Sequence, residues 1–203
     1  SAAIEALDRL QPTAASHERV MILEVMGRDA GHIALSAGLA GGADVILIPE
    51  IPYRLDAVAA KIKELQQMGR NHALVVCSEA VKEAGGEAVF ERTQSGTVRY
   101  GGVGHVLGDR IAAATGAETR VTVLGYVQRG GTPNSYDRIL ASAFGVHAVD
   151  LMAQNKSGRM VAWRNREVTD IPLEEAIHGT ACVDLTGTLV TTARGLGICL
   201  GDR

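Results

Sequence analysis

Four short stretches of the chain place residues able to hold an anion or a set of hydroxyls directly at the ends of apolar runs of strand length. The run Val20–Val25 contains Glu24 and delivers Met26, Gly27 and Arg28. The run at 43–49 delivers Glu50, and the run at 72–77 delivers Ser78 and Glu79. The run at 118–124 delivers Tyr126, Gln128 and Arg129, flanked by Gly125, Gly130 and Gly131. In an open parallel sheet, ligands collect beyond the carboxyl ends of the strands, so these residues would share one rim. Arginines and helix amino termini attract anions. Carboxylates and a glutamine suit hydroxyls, and glycines permit close backbone approach. The simplest ligand offering both features is a phosphorylated sugar.

Each stretch also has a plainer reading. Met26-Gly27-Arg28 can be a tight strand-to-helix turn with a solvated arginine, Glu79 a solvated charge, and Gln128 to Gly131 a loop turn. Lysine occurs only at Lys61, Lys63, Lys82 and Lys156, so the cations are mostly arginine. That suits phosphate recognition, and a GC-rich coding sequence explains it equally well. Arg120 lies inside a strand-like run, where an unpaired buried charge is costly. It must sit at a sheet edge, pair with a carboxylate such as Glu118, or face a partner subunit.

These candidates need a scaffold, and the composition allows one. The 203 residues are 46% apolar and 21% charged, with a formal charge of -3. A chain of this length buries roughly 70% of its unfolded surface and needs no metal or disulfide staple. The apolar content excludes intrinsic disorder, and no apolar run reaches the ~18 residues of a membrane span. The slightly acidic balance argues against nucleic acid as a partner. Cys77, Cys182 and Cys199 are odd in number and widely spaced, which fits a reducing cytoplasm and neither a disulfide framework nor a zinc site. The first residues lack the pattern of a secretory signal. No P-loop, dinucleotide fingerprint, HExxH or GxSxG is present. His32, His72 and His105 read as ordinary surface or core residues, and Ser78 has no evident base.

The elements follow from periodicity. An opening amphipathic helix gives way to a polar connection at 12–18. Asp29 reads as the cap of a helix running to Ala40. An amphipathic helix spans 55–68 with Val58, Ile62 and Leu65 on one face. A hairpin is expected at 94–97, a helix at Val103–Thr115, and a long helix at 135–154. The tail reads as strands at 159–163 and 188–191 around a short helix at 173–177. Short apolar strands alternating with helices predict an α/β fold, a parallel sheet flanked by helices in three layers.

Two blocks carry a family likeness. SHERVMILEVMGRDAGHIALSAGLAGGADVILIPE and ETRVTVLGYVQRGGTPNSYDRILASAFG resemble the second half of a bacterial-type 6-phosphofructokinase. The likeness is strong over 4–144 and looser at 192–197. The second block nearly reproduces the family signature through Arg120, Gly125, Gln128, Arg129, Gly130, Gly131, Asp137 and Arg138. The resemblance implies a three-layer phosphofructokinase-like second domain. It would consist of 1–127 plus about 180–203 and bind fructose 6-phosphate. The segment at about 128–179 would pack on a first domain that this chain does not include.

The resemblance also implies roles. Met26, Gly27 and Arg28 would line the fructose 6-phosphate site, Glu79 would bind sugar hydroxyls, and Arg129 would lie near the substrate. Arg19 and Arg120 would grip the 6-phosphate from a neighbouring subunit, which implies a homodimer or homotetramer. Tyr126 replaces the signature histidine; its phenol can donate to a phosphate oxygen but carries no positive charge at neutral pH. Gln11 and Met68 replace two basic effector-site residues of the allosteric members, while Arg70 and Asp44 fit. The implied reaction transfers a phosphoryl group from ATP or pyrophosphate, with Mg2+, to the 1-hydroxyl of fructose 6-phosphate in glycolysis. The donor loops, metal-binding aspartate and general base belong to the family's first half, so this chain alone is expected to be inactive. The alternative is a non-catalytic sugar-phosphate-sensing or assembly module of the same descent.

Overall fold

The computed structural model describes residues 2–92, 98–177 and 181–203. In chain order they form α1 (Ala2–His17), β1 (Val20–Val25), α2 (His32–Ala40), β2 (Val45–Leu47), α3 (Leu55–Gln67), β3 (Ala73–Ser78), β4 (Phe90–Arg92), β5 (Val98–Tyr100) and α4 (Val103–Thr115). There follow β6 (Thr119–Val123), a 3-10 turn (Gly125–Arg129), α5 (Ser135–Ala153), β7 (Arg159–Arg164), β8 (Glu167–Pro172), α6 (Leu173–Ala176) and α7 (Thr188–Gly195). The chain divides into two compact units, residues 1–130 with 182–203, and residues 131–181.

The first unit is built on a four-stranded sheet of order β2-β3-β1-β6, all pairs parallel. β1, β2 and β3 are buried along their whole length and almost wholly apolar because both of their faces are covered, whereas the edge strand β6 is partly exposed and carries Thr119, Arg120 and Thr122. Alternate residues point to opposite sides. Met21, Leu23 and Val25 pack with Leu7 of α1, Leu35 of α2 and Val190 of α7. Val20 and Ile22 pack with Val58, Ile62 and Leu65 of α3 and with Leu107 and Ile111 of α4. β1 and β3 are buried along their whole length. The result is the three-layer α/β arrangement expected from the sequence.

Three local expectations need correction. The stretch 12–18 is not a connection: α1 continues through Pro12 to His17. Its buried face extends past the proline to Ala14, and that packing outweighs the roughly 3 kcal/mol penalty of an interior proline. Residues 188–191 are not a strand but open α7. Val190 and Ala193, one helical turn apart, are buried against the sheet, which overrides the β preference of this threonine-rich run. Asp29 does not cap α2; the cap position is Gly31, with no side-chain cap bond. β4 and β5 pair antiparallel, while the turn expected at 94–97 lies outside the described residues.

In the second unit, α5 opens with a reciprocal cap. The Asp137 amide donates to Asn134 Oδ1 at 2.9 Å and the Asn134 amide to Asp137 Oδ2 at 3.1 Å. β7 and β8 form a hairpin that the sequence reading only half anticipated, since β8 went unrecognised. Asn165 and Arg166 between them both have positive φ, 53° and 68°. That is the geometry of a two-residue primed turn, made here without the usual glycine. β7 carries Trp163.

Candidate functional site

The carboxyl ends of β1, β3 and β6 open onto one cavity of about 580 Å³. Glu24, Met26 and Arg28 line it from β1 and its following turn, Glu79 from the end of β3, and Tyr126 and Arg129 from the 3-10 turn after β6. The volume is that of a small-molecule site.

The turn after β1 is fixed by side chains from two other strand ends. The Met26 amide donates to Gln128 Oε1 at 2.8 Å. The amides of Gly27 and Arg28 both donate to Glu79 Oε1, at 3.2 and 3.0 Å. Gln128 and Glu79, expected from the sequence to meet hydroxyls, clamp the backbone that carries Arg28, and of the two only Glu79 lines the cavity. Arg28 needs such holding, since its φ is +49°, in the left-handed region that disfavours a side chain. A side chain at position 27 would force the turn to shift: a Cβ there would lie 2.5 Å from the Ala30 carbonyl oxygen.

Glu24 is 2% exposed in the middle of the sheet. Its Oε1 accepts from the Gly102 amide at 3.2 Å and its Oε2 from the Gly104 amide at 2.8 Å. A buried carboxylate is tolerable because it meets the amino terminus of α4, whose first amides lack helical partners and carry positive partial charge. The Arg129 guanidinium carbon lies 5.9 Å from the centre of the Tyr126 ring, a cation–π distance. Tyr126 is 68% exposed.

Sequence reasoning missed one wall of the cavity. Phe90, Tyr100 and His105 line it. Phe90 and Tyr100 stack with ring centres 4.9 Å apart, and the Tyr100 hydroxyl donates to Asp29 Oδ1 at 2.7 Å. No spacing in the sequence announces this wall. It comes from the strand pair β4–β5, whose partners are set by the chain's return, and His105 follows because it sits in the first turn of α4.

Other candidates lie elsewhere. Arg19 precedes β1 and Arg120 lies in β6 opposite Met21, at the amino ends of the strands. Strand rise puts Arg19 roughly 20 Å from the cavity rim. Neither lines the cavity of its own chain. Both pair with Glu118, Arg19 through Nε at 2.8 Å. Those bonds, that of Arg19 foremost, hold the Glu118 carboxyl below the usual carboxylate range. Arg120 therefore satisfies two of its three readings, being on an edge strand and paired with Glu118.

Glu50 is not at the cavity. It accepts from the Gly31 amide at 3.0 Å and the Val183 amide at 2.8 Å, joining α2 to the returning chain. Ser78 is buried beneath Gly27, and its hydroxyl has no partner among the described residues. Burial pushes the Cys77 thiol far up, so it is no nucleophile. Arg70 grips Asp44 through two bonds of 2.7 and 2.8 Å, and the Leu74 amide donates to the same carboxylate. Among the described residues no cluster of three or more His, Cys, Asp or Glu side chains is placed to hold a metal ion. No helix among them is long and apolar enough to cross a membrane.

Comparison with known proteins agrees with this geometry. A family model described as phosphofructokinase matches residues 1–152. The chain is 62% identical over 200 residues to an ATP-dependent 6-phosphofructokinase 1 of Synechocystis sp., covering 98% of this chain and 55% of that protein. It is 46% identical over 201 residues to the ATP-dependent 6-phosphofructokinase of Chloroflexus aurantiacus, covering 99% and 55%. Among solved structures it resembles phosphofructokinase from Saccharomyces cerevisiae, with a TM-score of 0.69, 29% identity, and coverage of 86% of this chain and 22% of that one. A pyrophosphate-dependent phosphofructokinase from Nitrosospira multiformis gives a TM-score of 0.71, 25% identity, and coverage of 90% and 46%. The chain spans about half the length of the curated relatives it matches. With the phosphofructokinase model matched over residues 1–152, three quarters of its length, the chain belongs to the phosphofructokinase family.

Proposed function

We propose that this chain is the fructose 6-phosphate-binding part of a 6-phosphofructokinase, and that it does not turn over substrate by itself. The observation that carries the reading is the meeting of Arg28, Glu79, Tyr126 and Arg129 at one cavity. The two guanidinium groups supply planar forks for phosphate oxygens, each worth about 1.5–3 kcal/mol when charge-assisted. The Tyr126 phenol donates to a phosphate oxygen. Both clamp bonds fall on Glu79 Oε1, which leaves Oε2 as the acceptor for a sugar hydroxyl. The chain's role is to hold the acceptor still while the rest of the enzyme aligns the donor, because positioning supplies much of the rate in phosphoryl transfer.

The donor is ATP or pyrophosphate, with Mg2+ as cofactor. Names of the curated relatives favour ATP, while one structural neighbour is named for pyrophosphate. In this reading the ion's ligands lie in the part of the relatives that this chain does not span. Arg19 and Arg120 stand at the far end of the sheet from the cavity. In this reading they serve the cavity of a second copy in a homodimer or homotetramer, and the enzyme works in the cytoplasm.

Calorimetric titration of the chain with fructose 6-phosphate, fructose and inorganic phosphate tests the reading. Saturable binding of the sugar phosphate, at least about tenfold tighter than either half-ligand, is expected. Equal affinity for fructose and fructose 6-phosphate, or turnover by the pure chain with ATP or pyrophosphate, would end it.

A further inference from the structure

We propose that Tyr100 is a positioning residue of the cavity: through its hydrogen bond to Asp29 it holds Arg28 in the pose that receives the ligand's anionic group. The inference deepens the reading of the cavity as a sugar-phosphate site and rests on it for the identity of the ligand.

Arg28 and Asp29 stand between β1 and α2, and both are exposed on the cavity. Arg28 has a φ of +49°, so its backbone returns to an ordinary conformation unless something holds it. Its amide bond to Glu79 restrains one side of the turn. On the other side Asp29 is free of the capping duty its position suggests. Instead it accepts the 2.7 Å bond from Tyr100.

Tyr100 is itself well anchored. Its ring stacks on Phe90 at 4.9 Å. Its backbone runs through Gly101 and Gly102 into α4, whose start is bound to Glu24 of β1. A closed circuit results: β1 holds α4 through Glu24, the start of α4 carries Tyr100, Tyr100 holds Asp29, and Asp29 adjoins Arg28, which follows β1. Each member except the strand interior lines the same cavity. The bond to Asp29 is also the main cause that raises the Tyr100 phenol above its ordinary value.

Two variants test the circuit. Tyr100→Phe keeps the ring and its stack and removes the hydroxyl; Asp29→Ala removes the acceptor. In the chain, amide hydrogen exchange at Gly27 and Arg28 should quicken about tenfold in each variant, the size expected for one lost bond to a charged group. The double variant should be no faster than Asp29→Ala alone. In a full-length phosphofructokinase carrying this chain, KM for fructose 6-phosphate should rise about tenfold while KM for the phosphoryl donor stays within twofold. General destabilisation would move both. Exchange at Arg28 within twofold of the parent, or a donor KM rising in step, overturns the proposal. Should the parent chain bind fructose and fructose 6-phosphate alike, the ligand assignment falls, and the exchange result still judges the link from Tyr100 to Arg28.

Discussion

Replacing Gly27 by alanine perturbs the cavity at its narrowest point. The new methyl group would start 2.5 Å from the Ala30 carbonyl oxygen and 3.3 Å from Ser78 Oγ. Carbon and oxygen do not rest below about 3.0 Å, so the turn must open by about 0.5 Å or more. The Gly27 and Arg28 amides stand 3.2 and 3.0 Å from Glu79 Oε1. A movement of that size carries the first beyond useful hydrogen-bond length and strains the second. Overpacking of this kind costs about 1–3 kcal/mol, and each bond lost to a charged acceptor adds on the order of 1 kcal/mol. Arg28 moves with the turn. The expected result is a melting temperature lower by several degrees and a Kd for fructose 6-phosphate raised by about tenfold or more. Differential scanning calorimetry and isothermal titration read the two quantities. A Gly27→Ala chain that melts and binds like its parent would mean that the turn is loosely held and that the clamps on it are incidental.

Tyr126→His exchanges a neutral phenol for an imidazole that titrates near 6.5 in the ordinary case. Affinity for fructose 6-phosphate should improve as pH falls through that region in the variant and not in the parent; parallel pH profiles would remove position 126 from phosphate contact. Arg120→Ala should leave binding to the monomeric chain unchanged, because Arg120 lies away from its own cavity, and should weaken it by about tenfold once copies associate. An equal loss in both states would place Arg120 in its own chain's site. Asp202 is held below the ordinary carboxylate range chiefly by its paired bonds to Arg194, at 2.6 and 3.1 Å. Its folded-state value is depressed, so the bridge contributes above the ordinary carboxylate value and fades as pH falls through the depressed one. Asp202→Asn should therefore lower stability by up to about 1 kcal/mol at pH 7, with the difference vanishing in strong acid. A urea-melt difference that persists there would assign the loss to something other than the ion pair.

β1, β2 and β3 were legible because they are almost wholly apolar on both sides, and α4 was legible because glycines bracket it. The residues that converge from β1, β3 and β6 could be read one strand end at a time, since the rule about carboxyl ends needs no knowledge of strand order. Glu50 failed the same rule: β2 lies two strands from β1, beyond the reach of the cavity. α7 and the proline-bearing end of α1 were misread because burial decides both, and burial depends on neighbours distant in the chain. Tyr100 was not singled out and His105 was read as an ordinary surface or core residue although it lines the cavity, since nothing local says that the β4–β5 pair folds back over the turn carrying Arg28. The likeness to phosphofructokinases supplied what spacing could not, namely which ligand such a rim would suit.

Trp163 is the sole tryptophan of the chain, and it stands in β7, within residues 131–181. Indole fluorescence therefore originates in that unit, and the unit of residues 1–130 and 182–203 has no tryptophan of its own. Following denaturation by red-edge excitation beside circular dichroism would reveal, without any label, whether the two units lose structure in one step or in succession.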